Sequence, residues 1–374
     1  MKIVYIITRA DAVGGASIHV RDMARAMRER GHETTVLVGG LGPVTQQLEA
    51  AGVPFESLRW LRRQVNPLRD SLAVLELVRV LRRLQPDLVS THTAKAGSVG
   101  RAAARWLGMP VIYTPHGWPA GERMGRKARA VFALVERVMA RWCDAIICVC
   151  DYERRLALDK RIAEAEKLFV VRNGVRDVSA DLHCNPEQTP VRICSVGRFD
   201  DPKDHRTLLE ALATLRALNW SLDLVGDGPR QQEMQSLART LGLGERVQFH
   251  GYLADPSGLL AQAQVFALSS RSEAFPRSIL EAMRAGLPVV ATDVGGVGEA
   301  VTPEVTGLLA PAGDAPALAP ALRRLVESAP LRRSMGDAAR AAYERSFRFE
   351  IMADLTWMVY ATVQSRTARL RPPA

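Results

Sequence analysis

The chain lacks the features that define several common classes of protein. Its 374 residues include only five cysteines, an odd count with neither a paired framework nor a zinc-binding spacing. No apolar run approaches the roughly 18 residues that span a bilayer. The apolar start MKIVYIIT soon meets charge at Arg9 and Asp11, which favours a first strand over a signal peptide. These absences predict a protein of the cytosol, or of the cytosolic face of a membrane.

Several motifs of nucleotide chemistry and hydrolysis are also missing. No G-x-G-x-x-G follows the first apolar run, and neither G-x-x-x-x-G-K-[ST] nor G-x-S-x-G occurs, which disfavours dinucleotide, P-loop and serine-hydrolase chemistry. There is no D-x-D either. A nucleoside diphosphate would therefore be neutralised by cationic side chains and helix termini. We expect no metal site and no bound cofactor.

What is present is the composition of an ordinary globular protein, 47% hydrophobic and 24% charged. The formal net charge is +10 and is concentrated in the first half. Between positions 59 and 83 seven arginines face two acidic residues, and between 101 and 141 eight basic residues face two. Clustered cations suit a nucleic acid, an anionic lipid or a phosphorylated substrate. A solvated surface remains the alternative.

Short β-branched runs alternate with helical stretches along the whole chain. The predicted strands are 2–8, 34–38, 87–91, 111–114, 145–149, 168–171, 191–196, 221–225, 247–250, 265–269 and 289–292. Helical periodicity fills the gaps, as at 18–30, 68–84, 96–107, 126–142, 204–218 and 231–241. The polar segment from 176 to 190 reads as a linker. The pattern predicts two doubly wound, Rossmann-like α/β domains, 1–177 and 190–346, that face each other across a cleft.

Two glycines, Gly14 and Gly15, separate the first predicted strand from the first helix. Paired glycines let a ligand approach the backbone closely, and the helix terminus beyond them favours an anion. We assign Gly15 to a nucleotide site and Gly14 to the second substrate. A tight strand-to-helix turn is the alternative.

Two cations, Arg198 and Lys203, follow the first strand of the second domain in VGRFDDPKD. At the carboxyl end of a strand they could clamp a diphosphate and stabilise charge on a leaving group. Alternatively, they pair with Asp200, Asp201 and Asp204.

Two carboxylates, Glu273 and Glu281, flank the start of a helix predicted from Pro276. This arrangement presents carboxylates to the vicinal hydroxyls of a sugar or a ribose rather than to a metal. One capping and one surface glutamate would be the alternative. We place Phe275 with the same nucleotide site.

Glycine turns and two histidines complete the candidate set. Gly226, Gly295 and Gly296 lie in turns that follow strands of the second domain and would border a phosphate site. His116 ends a strand of the first domain, where it can hydrogen-bond a sugar hydroxyl and transfer a proton if it lies within reach. His92 is assigned to the acceptor side, and the other histidines are interpreted as structural.

Taken together, these motifs resemble the retaining glycosyltransferases of family four, which have the two-Rossmann GT-B fold. The resemblance rests on the E-x7-E of Glu273 and Glu281 with GRFDDPK, GDGP, HGW, RNGV and GGVGE, and it covers nearly the whole chain. It implies that Arg198 and Lys203 hold the donor diphosphate, Glu281 the ribose and Glu273 the sugar hydroxyls. It also implies that His116 contacts the sugar from the opposite domain.

The resemblance further implies that Asn173 of RNGV borders the cleft, and that a last helix, within 347–374, returns to the first domain. The stretch from HTAKAG to HGWP looks most like the bacterial surface-polysaccharide branch, whose acceptors are often sugars on a polyprenyl diphosphate. The chain departs from the family pattern at Ser17, Asp204 and Ala274, where a glutamate, a glycine and a glycine are common.

We therefore expect a metal-independent, retaining glycosyltransferase that moves a sugar from a nucleotide diphosphate sugar, with UDP favoured, to a saccharide or lipid-linked acceptor. Its basic first half would meet an anionic membrane surface. One alternative is a nucleotide-sugar epimerase of the same fold. Another is a basic nucleic-acid-binding protein, although no recognised nucleic-acid module is visible.

Overall fold

The computed structural model describes residues 1–118 and 125–370. Glu122 of the basic segment and the side chain of Arg126 lie outside what is described. The chain forms two compact units, the first from Met1–Arg172 with Met352–Ala374 and the second from Asn173–Ile351.

The first unit is built on a parallel sheet of seven strands. The strands are β1 (Lys2–Ile7), β2 (Glu33–Val38), β3 (Phe55–Ser57), β4 (Leu88–His92), β5 (Val111–Thr114), β6 (Ala145–Cys148) and β7 (Leu168–Val170). The helices are α1 (Gly15–Glu29), α2 (Pro43–Ala50), α3 (Pro67–Leu84), α4 (Ala94–Leu107), α5 (Arg126–Ala140) and α6 (Asp151–Asp159). Strands β1, β5 and β6 consist mainly of buried apolar residues, as expected for a parallel sheet covered by helices.

The second unit repeats this plan with a parallel sheet of six strands. The strands are β8 (Val191–Val196), β9 (Trp220–Val225), β10 (Val247–Gly251), β11 (Val265–Leu268), β12 (Val289–Thr292) and β13 (Gly307–Ala310). The helices are α7 (His205–Ala213), α8 (Gln231–Thr240), α9 (Ser257–Gln262), α10 (Arg277–Arg284), α11 (Val297–Ala300), α12 (Ala315–Glu327) and α13 (Ala329–Ser346). The predicted pair of doubly wound α/β units is confirmed.

Both sheets reverse their strand order at one point. The first sheet runs β3-β2-β1-β4-β5-β6-β7 and the second β10-β9-β8-β11-β12-β13. In an open parallel sheet a crevice forms outside the carboxyl ends of the two strands at which the order reverses, and ligands bind there. The fold therefore marks two places for chemistry, one after β1 and β4 and one after β8 and β11.

Strands β3 and β13 are not predicted from the sequence. Both are edge strands of their sheets, with the sequences FES and GLLA. Neither holds a β-branched residue, and they span only three and four residues, so the compositional signal for a strand is weak.

The last helix, α14 (Phe349–Leu370), belongs from Met352 onward to the first unit. The ring of Trp357 stacks on His32 with centroids 4.4 Å apart. The buried Tyr360 hydroxyl lies 3.0 Å from Ser90 Oγ on β4. The expected return of the last helix to the first unit is confirmed.

The segment that reads as a linker, 176–190, is attached to the second unit. Arg284 donates to the carbonyl of Arg176 at 2.9 Å, and the backbone amide of Cys184 donates to the carbonyl of Ala285 at 2.8 Å. Long-range hydrogen bonds of this kind leave no local signature in the sequence.

A buried ion pair joins α4 to α5. Arg101 Nη2 donates to Glu136 Oε2 at 2.8 Å, and both side chains are at most 1% exposed. Arg101 also donates to the carbonyl of Gly97 and lies 4.1 Å from the centre of the Tyr113 ring. Charges taken out of water are tolerated only when their partners remain in place.

Replacing Glu136 with Gln should lower the free energy of unfolding by about 3–5 kcal/mol, because the buried guanidinium loses its compensating charge. Chemical denaturation measures this loss. Glu29, which pairs with Arg25 at the surface at 2.8 Å, is the matched control, and Glu29→Gln should cost less than about 1 kcal/mol. Equal losses in the two variants would contradict the assigned importance of burial.

Candidate active site

The strand order of the second sheet brings two loops together. Since β11 pairs directly with β8, the loop after β8, which holds Arg198 and Lys203, lies beside the loop after β11, which holds Glu273. The predicted cations and one predicted carboxylate thus share the reversal point of this sheet.

Lys203 and Glu273 are in direct contact. Lys203 Nζ lies 2.5 Å from Glu273 Oε1, and the side chains are 22% and 10% exposed. Ser270 Oγ donates to the same carboxylate oxygen at 2.6 Å. These contacts hold the Glu273 carboxylate in one orientation, with the Lys203 ammonium beside it. The aspartates considered as partners of Lys203 are engaged elsewhere, Asp201 with Arg230 and Asp204 with Arg271.

Arg198 is held more loosely. Its guanidinium lies 3.8 Å from Asp200 Oδ2 and 3.5 Å from Asp227 Oδ1, and the side chain is 36% exposed. Such long contacts to exposed carboxylates contribute little energy. The guanidinium can therefore turn toward an anionic ligand at small cost and offer two parallel donors to a phosphate group.

Close backbone contacts between loops explain two of the predicted glycines. Gly226 has φ +145°, and a Cβ there would lie 2.1 Å from the carbonyl oxygen of Gly197. Gly295 has φ +57°, and a Cβ there would lie 1.8 Å from the carbonyl oxygen of Glu273. The next residue, Gly296, donates its amide to the carbonyl of Ala274 at 2.9 Å. These glycines allow the loops after β9 and β12 to pack against the loops that carry Arg198 and Glu273.

The departure at Asp204 has a structural explanation. Asp204 has φ +43°, a left-handed conformation that glycine adopts freely and that aspartate tolerates better than most residues. Its buried carboxylate accepts hydrogen bonds from Thr207 Oγ1 at 2.7 Å and from Arg271 Nε at 2.6 Å. These bonds compensate for the unfavourable backbone, so the loop keeps its form without a glycine.

Glu281 lies within α10 and is half-buried, whereas Glu273 lies on the loop that precedes this helix. Pro276 caps the helix and Arg277 begins it. The two glutamates thus occupy the loop and helix positions expected from their spacing.

Two predicted site residues have buried side chains. The Phe275 ring is 3% exposed and packs against Phe347 with ring centroids 5.7 Å apart. Asn173 is 6% exposed and belongs to the second unit. Its Nδ2 donates to the carbonyl of Phe275 at 2.9 Å, so it supports the Glu273 loop. Contact of either residue with a substrate stays a prediction.

The first unit presents Gly14 and Gly15 at the reversal point between β1 and β4. Gly14 is the N-cap of α1, and Ser17 bonds both to its amide and to its carbonyl at 2.9 Å. A Cβ at Gly14 would meet nothing within 4 Å. The departure at Ser17 therefore closes the capping turn, and open space remains beside Gly14.

Three histidines gather at the same edge of the first sheet. His92 ends β4, His116 follows β5 and His19 lies one turn into α1. Ring centroids of His19 and His116 are 4.8 Å apart, and His92 Nδ1 lies 2.9 Å from His116 Nε2. His92 is 1% exposed and lies behind His116, and its assignment to the acceptor side stays a prediction. Burial and the neighbouring His116 charge hold the pKa of His92 well below its ordinary value.

One ring nitrogen from each of these histidines lies within 4.8 Å of the others, close enough to hold a metal ion. The bond between His92 and His116 already uses two ring nitrogens, and a metal would have to displace it. Independence of a metal stays a prediction.

Sequence reasoning missed His19 and Ser270. His19 follows Gly15 by four residues, one helical turn beyond the predicted ligand-binding glycines, and this spacing was an available signal. Ser270 reaches Glu273 through the turn after β11, and a serine near a glutamate carries no specific signal by itself.

Two family models match the chain, one in each unit. "Glycosyltransferase Family 4" matches residues 13–177 and "Glycosyl transferases group 1" matches residues 184–342. A relative in Escherichia coli, UDP-Gal:alpha-D-GlcNAc-diphosphoundecaprenol alpha-1,3-galactosyltransferase, is 26% identical and covers 76% of this chain and 78% of its own length. The putative glycosyltransferase EpsD of Bacillus subtilis is 28% identical, over 88% of this chain and 90% of its own length.

Solved structures share the fold. Anabaena HepE in complex with UDP and glucose aligns with a TM-score of 0.83 at 24% identity, over 97% of this chain and all of its own. The paired parallel sheets match GT-B glycosyltransferases. With a family model on each unit and relatives of the same class along its length, the chain belongs to the family four glycosyltransferases.

Proposed function

We propose that this glycosyltransferase transfers a sugar from a UDP-sugar to a lipid-linked or saccharide acceptor with retention of anomeric configuration and without a metal. The contact between Lys203 and Glu273, beside the loosely held Arg198, carries the proposal. This arrangement brings two kinds of group together in one cluster of loops. The two cations suit a leaving diphosphate, and the carboxylate suits the hydroxyls of a sugar.

In the proposed reaction, the bond from the anomeric carbon to the β-phosphate oxygen breaks and a bond to the acceptor oxygen forms on the same face. The departing phosphate oxygen takes the acceptor's proton. Arg198 and Lys203 stabilise the negative charge that develops on the diphosphate. Glu273 and His116 orient the transferred sugar, and Glu281 binds the ribose.

Relatives support the donor and acceptor classes. The E. coli relative is named for a UDP-galactose donor and a diphosphoundecaprenol-linked acceptor, and HepE was solved with UDP and glucose. We extend these classes, not the individual sugars, to this chain.

An acceptor on a lipid requires access to a membrane, and we propose that the first unit provides it. None of the helices in the described ranges is long and apolar enough to cross a bilayer. Helix α5 instead has an unusual distribution of side chains. Glu136 faces inward to Arg101, while a stripe of aliphatic side chains faces outward. The stripe consists of Val131, Leu134, Val135 and Val138, each at least 40% exposed.

Helix α3 carries a second stripe of exposed aliphatic side chains. Leu68, Leu72 and Leu75 are at least 38% exposed and recur at helical spacing. The exposed Arg79 and Arg82 continue this face toward the end of the helix. Helix α4 packs against both α3 and α5, so the stripes belong to one helical layer. Aliphatic residues flanked by long basic side chains suit the interface of an anionic bilayer.

Lys203→Ala should lower kcat about 100-fold or more, because one stabiliser of the leaving diphosphate is lost. Transfer from a UDP-sugar to a diphosphoprenol-linked sugar measures it. Arg324, which pairs with Glu304 at 2.8 Å on the surface of the same unit, supplies the control Arg324→Ala. Turnover retained in Lys203→Ala would refute the assigned role. A change in sugar configuration without acceptor would favour an epimerase.

UDP should raise the Tm by mass action, equally with EDTA and with magnesium, and Glu281→Ala should weaken this shift. Glu327→Ala, at an exposed pair with Arg323, is the control. A shift that requires added metal would refute metal independence. An undiminished shift in Glu281→Ala would refute the ribose contact.

Replacing both Leu134 and Val138 with Glu should reduce binding to vesicles of phosphatidylglycerol and phosphatidylcholine at least about tenfold, because apolar contact with the bilayer is lost. Co-sedimentation measures the binding. Val305→Glu, at a 51% exposed valine of the second unit, is the control. Equal binding of the α5 variant and the wild type would contradict the proposed membrane surface.

A further inference from the structure

A chain of hydrogen bonds connects the last helix to His116. The Tyr360 hydroxyl lies 3.0 Å from Ser90 Oγ, and Ser90 Oγ lies 3.0 Å from His92 Nε2. His92 Nδ1 lies 2.9 Å from His116 Nε2. Tyr360, Ser90 and His92 are at most 1% exposed. The chain thus begins on α14, crosses β4 and ends on the loop after β5.

The hydrogen bonds of this chain must all run in the same direction from donor to acceptor. A serine hydroxyl carries one hydrogen, and a neutral imidazole carries one hydrogen on either of its two nitrogens. Ser90 can therefore donate to His92 or to Tyr360, and His92 can donate to His116 or to Ser90. If Tyr360 donates to Ser90, Ser90 donates to His92 and His92 Nδ1 donates to His116.

Acidity favours the direction from Tyr360 to His116. A phenol is a stronger acid than an aliphatic hydroxyl and donates more readily, while the imidazole nitrogen is the stronger acceptor of the set. Burial raises the pKa of Tyr360 and lowers that of His92, so the phenol keeps its proton and the imidazole remains neutral.

We propose that Tyr360, Ser90 and His92 are positioning residues that fix the tautomer of His116, with Nε2 accepting and Nδ1 carrying the proton. His116 itself has φ +55°, a left-handed conformation that is uncommon for residues other than glycine. The next amide, of Gly117, donates to the buried Glu153 carboxylate at 2.6 Å. The backbone and the ring of His116 are therefore both held by buried partners.

The consequence for the reaction rests on the proposed function of His116 as a sugar contact. An imidazole in the other tautomer presents a lone pair where a donor is needed. When the tautomer is fixed before the substrate binds, every enzyme molecule presents the donor that the sugar requires. The chain assigns this task to residues that need not touch a substrate, including Tyr360, which lies 270 positions from Ser90 in the sequence.

Nitrogen-15 spectra of protein labelled at its seven histidines test the tautomer without any assay of activity. We expect His116 as the Nδ1–H tautomer in the wild type. Ser90→Ala removes the hydroxyl that donates to His92 Nε2, so His92 can hold its proton on either ring nitrogen and the His116 nitrogen shifts should move toward a mixture of tautomers. An Nε2–H tautomer in the wild type, or unchanged shifts in Ser90→Ala, would overturn the proposal.

Tyr343→Phe is the control. Its hydroxyl is also buried and donates to the carbonyl of Val175 at 3.0 Å, within the second unit. The control should lose stability as Ser90→Ala does, because each variant loses buried hydrogen bonding. Its histidine shifts should match the wild type. Movement of the His116 shifts in the control as well would mean that destabilisation, not the chain, is being observed.

Kinetic measurements then test the hydrogen-bond chain and the sugar contact of His116 independently. Ser90→Ala should lower kcat about threefold to tenfold, the effect of one hydrogen bond, and leave the Kd for UDP unchanged because UDP lacks the sugar. A changed tautomer with an unchanged kcat would support the chain and refute the sugar contact of His116. An unchanged tautomer with a lowered kcat would refute the chain.

Discussion

The reversal of strand order in each sheet is the constraint on which the rest of the structure depends. At β8 and β11 it places side by side two loops that are about 70 residues apart in the sequence, and Lys203 meets Glu273 there. At β1 and β4 it brings the glycines before α1 to the edge where His92 ends its strand. The connections on either side of the reversal leave in opposite directions. The helices therefore do not cover the carboxyl ends of these strands.

Glycine turns let the loops of the second unit pack closely, which brings the charged side chains on these loops together. Gly226 and Gly295 let one backbone approach another more closely than any Cβ would permit. The loops that carry Arg198 and Glu273 are thereby supported by the backbone of neighbouring turns, in addition to side-chain bonds such as that from Asn173 to Phe275. Asp204 achieves the same turn at a residue other than glycine, through bonds to Arg271 and Thr207.

The first unit combines a polar interior with an apolar exterior in places where the reverse is usual. Arg101 and Glu136 form an ion pair beneath α5, while valines and a leucine cover its outer face. The polar chain from Tyr360 to His92 is likewise buried. Both the ion pair and the polar chain are tolerated in the interior because their members bond to one another, and the exposed aliphatic stripes are of the kind that marks an interaction surface.

The sequence by itself determined the two doubly wound units, nearly every central strand, and the identity of the cations and carboxylates, because these features depend on local periodicity and on motifs at strand ends. Local patterns also predicted the loop position of Glu273 and the helical position of Glu281. Only the tertiary structure decided which charges pair, that Phe275 and Asn173 face inward, and that His92 stands behind His116. Those outcomes depend on contacts between residues far apart in the chain, such as Asn173 with Phe275 and Ser90 with Tyr360, and such contacts leave no periodic trace in the sequence.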